Sequence, residues 1–327
     1  MRRVTRWWDT HQIALYIAAI LTGGLVGSTL PAIAPILEGA TTPLLALLLF
    51  ATFLGVPMIE LQRSFRDGRF LGTVLVVNFV VVPVVVFGLS RFVTDDRGLL
   101  VGVLLVLLTP CVDYVIVFTG LAGGSRARLL AATPLLMGLQ IVLLPLYLAL
   151  FAGIDTVQYI ELGPFVMAFV ILIVIPLGVA AIVQALARRR QLGRNIETGM
   201  AGAMVPLMML TLAVVIGSQV AAVGSEALTL LRLVPLYVVF LLVMLVVGLF
   251  AGRSAGLAVP ETRAVVFSGA TRNSLVVLPL ALALPDAFAL APLAVVTQTL
   301  VELVGMVVFV RLVPALVRGG GIRSPDA

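Results

Sequence analysis

The stretch that decides the fold interrupts an apolar run and reads Leu107-Leu108-Thr109-Pro110-Cys111-Val112-Asp113-Tyr114. A proline removes one backbone donor and clashes with the preceding helical turn, so we expect the helix to break at Pro110. A second interruption reads Phe267-Ser268-Gly269-Ala270-Thr271-Arg272-Asn273-Ser274. Its glycine and its hydroxyl and amide side chains can satisfy the backbone groups that a break exposes. These stretches predict two broken helices, one in each half of the chain.

The composition identifies the class of protein. Of the 327 residues, 61% are hydrophobic and only 11% are charged, and the mean hydropathy is +1.22. A soluble domain has about 25% charged residues, so this composition predicts an integral membrane protein. Ten helical spans of about 20 residues each would use most of the chain. A large soluble catalytic domain is therefore excluded.

The charged and sulfur-containing residues narrow the expected partners. All 21 basic residues are arginine, and the net charge is +6. In a membrane protein such an excess sets topology, so nucleic acid is not expected as a partner. The single cysteine, Cys111, cannot form an internal disulfide, and the single histidine, His11, precedes the first span. Zinc and haem motifs are absent from the sequence, and no cofactor is expected.

Apolar runs separated by charged residues, Gly and Pro predict ten spans. They cover residues 12–30, 41–61, 71–90, 98–122, 129–152, 163–186, 197–223, 232–251, 264–284 and 288–314. Most arginines fall on every second connection, and the connections between these are mainly neutral or acidic, so both termini are predicted to lie on the cytoplasmic side of the cell (inner or plasma) membrane.

The ten spans divide into two halves of five. The halves cover residues 12–152 and 163–314, with cytoplasmic tails at 1–11 and 315–327. Because the halves begin on opposite sides of the membrane, the predicted fold is an all-α polytopic membrane protein of two inverted five-helix repeats, with broken, crossing helices 4 and 9. Transporters of this design bind their solute near the bilayer midplane, where discontinuous helices of the two halves meet.

Three charged residues are predicted to lie within the membrane. A charge there costs at least about 2.5–3.5 kcal/mol on insertion scales, so Asp113, Arg272 and Glu302 are expected to face a partner or a hydrated cavity. Asp113 and Arg272 could form a structural ion pair or could act directly on the substrate or a proton. Asp113 and Glu302 carry two negative charges against the one positive charge of Arg272, so one carboxylate lacks a counter-charge. This favours protonation of Glu302, which is therefore the predicted ion-coupling group. Gln298 lies one turn before Glu302 on the same face.

The remaining candidates surround the two interruptions. Cys111 is either a small apolar filler or a functional thiol, because it follows a helix-breaking proline where a new helix start favours the thiolate. The predicted substrate-binding residues are Cys111, Asp113, Thr271, Arg272, Asn273 and Ser274, and the predicted ion-coupling residues are Glu302, Asp113 and Gln298. Other polar residues within spans, such as Asn78 and Gln140, are explained by interhelical hydrogen bonds of about 0.6 kcal/mol.

These features resemble the bile acid:sodium symporter superfamily. Two motifs are similar to its arsenite-efflux permease branch, namely Thr109-Pro110-Cys111 followed by Val115-Ile116-Val117, and Leu300-Val301-Glu302 in the tenth helix. The resemblance implies that the cysteine is functionally important. It also assigns the third to fifth and eighth to tenth helices to a core bundle that moves against a smaller panel.

The sequence departs from both branches of that superfamily. The glutamate that the permeases carry in the ninth helix would align with Ser274, and this chain has Arg272 nearby instead, together with Asp113 where the permeases are uncharged. The Ser-Asn pair of the sodium-coupled branch would fall near Val115 and Ile116. Protons are therefore favoured over sodium as the coupling ion.

The sequence thus predicts a secondary transporter in the lipid bilayer. The first hypothesis is proton-coupled efflux of arsenite or a similar small solute by alternating access. The alternative is ion-coupled transport of an organic anion whose carboxylate binds Arg272. A membrane enzyme or sensor that uses Asp113, Arg272 and Cys111 is a third class, but no Ser/His/Asp or metal-hydrolase constellation supports it.

Overall fold

The computed structural model describes residues 2–55, 67–112, 114–153, 167, 170–225 and 227–317, and these residues form an all-helical fold without strands. The helices are α1 (Arg2–Thr29), α2 (Ala34–Leu54), α3 (Gly68–Val76), α4 (Val82–Ser90), α5 (Arg97–Leu107), α6 (Tyr114–Leu121), α7 (Arg126–Ala152), α8 (Ile175–Ala187), α9 (Gln191–Ser225), α10 (Ala227–Leu231), α11 (Leu233–Ser254), α12 (Val259–Ala270), α13 (Ser274–Leu282) and α14 (Leu290–Leu316). Short 3₁₀ turns occupy Pro31–Ile33, Arg91–Val93 and Asp286–Phe288, and π-helical turns occupy Val77–Val81 and Val170–Val174.

Six segments among the described residues are long and apolar enough to cross a membrane. They are Pro31–Ala51, Gly68–Val93, Arg126–Ala152, Gln191–Ser218, Leu228–Ser254 and Asp286–Leu316. Shorter apolar helices accompany them at Ala14–Thr29, Arg97–Leu107 and Ile175–Ala187. The prediction of a helical, multi-pass membrane protein is confirmed, whereas the count of ten spans stays a prediction.

The first two helices begin before their predicted spans. Helix α1 begins at Arg2, but the chain departs from helical geometry at His11 (φ −109°, ψ 16°), and the apolar part of the helix, Ala14–Thr29, agrees with the predicted span 12–30. Helix α2 begins at Ala34 instead of residue 41. Pro35 is accommodated in its first turn because an N–H there would have no intrahelical partner. The predicted end of the second span, the predicted start of the sixth and residues 318–327 lie outside the described residues.

The helices form two groups. Helices α1, α2, α8 and α9 pack on one another and are called the panel group, and α3–α7 with α11–α14 form the larger core group. Contacts of α9 with α14 and of α2 with α13 join the two groups. The core group contains the helices that the family resemblance assigns to a moving bundle.

Glycines allow α1 and α9 to approach closely. A Cβ atom at Gly23 would lie 2.3 Å from the Ala213 carbonyl oxygen, and one at Gly27 would lie 2.2 Å from the Gly217 carbonyl oxygen. Only hydrogen fits at these positions, so the small-residue pattern on α1 is a packing motif. The equivalent pattern on α11 packs in the same way against α12.

Ion pairs link the helix connections to one another at each of the two ends of the core group. At one end, Arg128 at the start of α7 pairs with Asp67 before α3 and with Glu261 in α12. At the other end, Arg232 before α11 pairs with Asp95 before α5 at 2.6 Å. The connections that the charge pattern placed on one side of the membrane are therefore neighbours in the fold.

Candidate functional site

Both predicted helix breaks are present. Helix α5 ends at Leu107 and α6 begins at Tyr114, while α12 ends at Ala270 and α13 begins at Ser274. The two interrupted helices lie in the core group and face each other at their breaks. The prediction of helices broken at the Pro-Cys pair and at the polar run is confirmed.

The two breaks are joined by backbone hydrogen bonds. Pro110 and Arg272 form an isolated antiparallel bridge. The Cys111 N–H donates to the Thr271 carbonyl at 3.3 Å, and the Asn273 N–H donates to the Thr109 carbonyl at 2.9 Å. Each break thus satisfies backbone groups that the other leaves free, which buried backbone requires.

A constant offset relates the two breaks. Pro110 and Arg272 are 272 − 110 = 162 residues apart, and the same offset carries the first residue of α5 onto the first residue of α12. Thr109 and Thr271 are also 162 residues apart. Each threonine hydroxyl donates to the carbonyl of the fourth residue before it. The two halves of the crossing are therefore built alike in local detail.

Arg272 is fully buried, and oxygen atoms surround its guanidinium group. Nη1 donates to the Leu107 carbonyl at 3.3 Å. Nη2 donates to Asn78 Oδ1 at 2.9 Å and to the carbonyls of Ser268 and Gly269 at 2.7 and 2.6 Å. Because helix carboxyl ends carry unsatisfied carbonyls and partial negative charge, this cation caps α5 and α12 together.

Asn78 is a site residue whose role the sequence analysis missed. It is fully buried in the π-helical turn Val77–Val81. Its Nδ2 donates to the Val74 carbonyl at 2.9 Å and to Ser268 Oγ at 3.0 Å, which turns its Oδ1 toward Arg272. A polar residue in the most apolar part of a span is the signal that could have drawn attention to it.

Glu302 contacts the second break from α14. Only 1% of its surface is exposed, and its Oε2 accepts from the Arg272 backbone N–H at 2.8 Å and from Gln298 Nε2. The predicted proximity of Gln298 and Glu302 on one helix face is confirmed. Glu302 therefore contacts the second break at the backbone N–H of Arg272. The guanidinium group of Arg272 makes its contacts described above at the carboxyl ends of α5 and α12.

Three buried polar atoms around the second break have no hydrogen-bond partner within the described part of the chain. They are Asn273 Nδ2, Ser274 Oγ and Gln298 Oε1, and their residues are at most 2% exposed. Leaving a buried donor or acceptor unpaired costs about 1–3 kcal/mol. A group of such atoms is expected where a solute or water binds.

Of the other predicted site residues, Cys111 and Thr271 are described in the structure and Asp113 is not. Cys111 is fully buried at the crossing, next to the backbone of Thr271. Thr271 is also buried, and its hydroxyl bonds to its own helix. Asp113 lies outside the described residues, so its predicted roles as the partner of Arg272 and as a proton carrier stay predictions.

Comparison with known protein families gives a match over the first part of the chain. The model of the family described as "Sodium Bile acid symporter family" matches residues 42–226. This segment is more than half of the 327-residue chain and contains the first helix break. A comparison with curated proteins found no match.

Proposed function

The chain belongs to the sodium bile acid symporter family, whose members are membrane transporters and not enzymes, and we propose that it exports a small solute by proton-coupled alternating access. The proposed solute site is the crossing of the two broken helices. The proposed solute is arsenite or a molecule of similar size and polarity.

The unpartnered polar atoms around the second break carry this proposal. The Asn273 amide offers N–H donors, the Ser274 hydroxyl can donate and accept, and the Gln298 carbonyl accepts. Arsenite in its neutral form carries three hydroxyl groups, which suits such a mixed set. Trivalent arsenic also binds thiols, and Cys111 is hydrogen-bonded through its backbone to the segment that bears Asn273 and Ser274.

The contacts of Arg272 favour this solute over an organic anion. To bind a carboxylate bidentately, the guanidinium would have to release an N–H of Nη2, which now donates to the carbonyls of Ser268 and Gly269 and to Asn78. Each buried carbonyl left without a donor would cost about 1–3 kcal/mol. A neutral solute needs no such rearrangement.

Glu302 is the proposed carrier of the coupling proton. Hydrogen bonds to a charged acceptor contribute about 1.5–3 kcal/mol, whereas neutral ones contribute about 0.5–1.5 kcal/mol. Protonation of Glu302 would therefore weaken its bonds to the Arg272 N–H and to Gln298 by roughly 1 kcal/mol each. The proton would act on the second break directly, because one of these bonds is to the break itself.

Alternating access is supported by the arrangement of the helices. The 162-residue offset and the antiparallel bridge, which has local two-fold symmetry, support ten spans arranged as two inverted repeats. The separation into core and panel groups supports movement of one group against the other. The ion pairs at the two ends support the predicted grouping of the connections on two sides of the membrane.

A bacterial host that is sensitive to arsenite provides the test. The full chain should protect growth in arsenite, and everted vesicles should accumulate arsenite when a pH gradient is imposed. Cys111→Ser is the matched variant, because it removes the chain's single thiol and keeps nearly the same volume. It should abolish protection at an unchanged amount of protein in the membrane. Absence of protection by the wild-type chain, with uptake of an organic anion by the same vesicles, would support the alternative.

A further inference from the structure

An outward-facing groove lies on the core group, between α3 with the π-helical turn that follows it and α11. Its volume is about 710 Å³, and its mainly apolar walls include Val76, Val77, Val81, Val246, Val247 and Phe250. Of the side chains on its rims, Val76 is 52% exposed, Val246 is 65% exposed and Phe250 is 73% exposed. Because both walls belong to segments that are long and apolar enough to cross a membrane, the groove faces the lipid chains.

One end of the groove carries the guanidinium group of Arg69. Arg69 lines the groove at the start of α3, and a Cβ atom at Gly256, just beyond the end of α11, would lie 3.9 Å from Arg69 Nη1. The hydroxyl groups of Thr73 and Ser254 also line this end, but they donate to carbonyls of their own helices. Within the described part of the chain, the exposed Arg69 guanidinium has no hydrogen bond or ion pair. The mouth of the groove therefore offers a positive charge and N–H donors to a ligand.

The length of the groove matches one leaflet of a bilayer. Its first wall runs over twelve residues from Arg69 to Val81, which is about 18 Å at a rise of about 1.5 Å per residue. Half of the hydrocarbon core of a bilayer is about 15 Å thick. With the charged Arg69 side chain at the surface of the membrane, the apolar part of the groove ends near the midplane, as an acyl chain does.

We propose that the groove binds an anionic phospholipid, with one acyl chain between α3 and α11 and the phosphate at Arg69. The arginine pattern of the sequence places Arg69 on the cytoplasmic side, where the leaflet contains anionic lipids. An acyl chain gains no hydrophobic free energy when it moves from the bilayer into the groove, so the headgroup decides which lipid binds. A basic residue at the membrane surface favours an anionic lipid by about 1 kcal/mol, which corresponds to about a fivefold preference. This site goes beyond the proposed function, because it requires no transported solute.

The bound chain would contact the turn that carries Asn78. Val77 and Val81, the two ends of this π-helical turn, line the groove, and Asn78 between them accepts from the Arg272 guanidinium. Val77 also lies close to the second helix break, because a Cβ atom at Gly269 would be 3.0 Å from Val77 Cγ1. A lipid in the groove would therefore pack against the same turn that contacts Arg272 at the crossing.

Quenching of tryptophan fluorescence by brominated lipids tests the proposal at the groove itself. Phe250→Trp places a reporter on the exposed rim, and the signal of the unchanged chain, which has Trp7 and Trp8, is subtracted. The full-length chain is reconstituted in mixtures of phosphatidylglycerol and phosphatidylcholine with identical chains, of which one lipid at a time is brominated. The reporter should show about a fivefold preference for phosphatidylglycerol. Arg69→Gln should reduce this preference to about one, whereas Arg311→Gln, which changes an exposed arginine near the end of α14, should keep it.

A second pair of variants blocks the acyl chain and leaves the charge in place. Gly72 lines the groove, whereas Gly88 lies outside it on the same membrane segment. A Cβ atom at either glycine would have no neighbour within 4 Å among the described residues. Gly72→Phe should therefore fill the groove and lower quenching of the reporter, and Gly88→Phe should leave quenching unchanged.

The outcomes separate the possible results. Equal quenching of the reporter by the two brominated lipids overturns the proposal, as does a preference that survives Arg69→Gln. If Arg69→Gln does not fold, Gly72→Phe and Gly88→Phe decide, and equal quenching in these two variants overturns the proposal. Soluble glycerol phosphate should leave the preference unchanged, and its removal would mean that the mouth binds a free phosphate instead of a lipid. Because no transported solute is present, failure of the arsenite proposal would leave these results unaffected.

Discussion

Replacement of Glu302 by glutamine would test whether a carboxyl group on α14 carries the coupling proton. Glutamine keeps the size of the side chain and an oxygen that can accept from the Arg272 N–H, which lies 2.8 Å from Oε2 in the wild type. It cannot release a proton. We therefore expect Glu302→Gln to lose solute flux driven by a pH gradient and to retain exchange of solute for solute, because exchange requires only movement of the loaded site.

The structure sets the size of the stability effect. Within the described part of the chain, Oε2 of Glu302 accepts from the Arg272 N–H and from Gln298. If both bonds persist to a neutral acceptor, each weakens by roughly 1 kcal/mol, so Glu302→Gln should lose about 2 kcal/mol or less. Glu302→Ala leaves both donors buried without an acceptor and should lose about 2–6 kcal/mol. Unfolding of the two variants in the same detergent measures the difference.

Flux and exchange are measured on the same proteoliposomes. Flux is followed after a pH jump, and exchange is followed at equal pH with solute on both sides. Glu261→Gln is the matched control, because the same change is made at the end of the core group, where Glu261 caps α12 through the Ala258 N–H at 3.0 Å. Gradient-driven flux at the wild-type rate in Glu302→Gln would refute the reasoning and transfer the proton to Asp113.

Three further predictions concern other parts of the molecule. Because Cys111 is buried at the crossing, a membrane-impermeant maleimide should label it slowly at rest and faster when a pH gradient drives the transport cycle. Mass spectrometry measures the labelling rate, and an unchanged rate would contradict alternating access. Gly23→Ala should lower the free energy of unfolding by about 1–3 kcal/mol, because the added Cβ would clash with α9. Gly24→Ala, whose Cβ would have its nearest neighbour at 3.9 Å, should be neutral or stabilising by about 1 kcal/mol. Equal effects of the two variants in thermal unfolding would contradict this packing. The hydrogen bond from Arg232 holds the pKa of Asp95 below its ordinary value of 3.8. At neutral pH the wild type should therefore be slightly more stable than Asp95→Asn. In unfolding experiments this difference should disappear as the pH falls below 3.8.

The helix breaks could be predicted because their signals are local. Pro110 cannot continue a helix, and the polar run around Arg272 contrasts with the apolar residues on both sides. The ligands of Arg272 could not be predicted in the same way. Every residue has a backbone carbonyl, so nothing in the sequence marks those of Leu107 or Gly269 as acceptors until the fold brings two helix ends together.

Hydropathy predicted the apolar parts of helices better than their ends. Helix α5 begins one residue before the predicted span, because Asp96 caps it by accepting from the Leu99 N–H at 2.9 Å. Helix α1 extends to Arg2, well outside its apolar segment. Apolar residues mark what the bilayer can hold, whereas a helix ends where its backbone groups find other partners.

A difference between the two halves explains why only one of them carries a buried acid at this position. Gln140 and Glu302 are 162 residues apart, as Pro110 and Arg272 are. In the second half the break residue has an N–H, which Glu302 accepts. In the first half the corresponding residue is proline, which has no N–H to give, and the Gln140 Oε1 is buried without a hydrogen-bond partner among the described residues. A carboxylate at position 140 would therefore lack the backbone donor that holds Glu302, so the asymmetry of the two breaks favours a buried carboxylate at the second alone of these two positions.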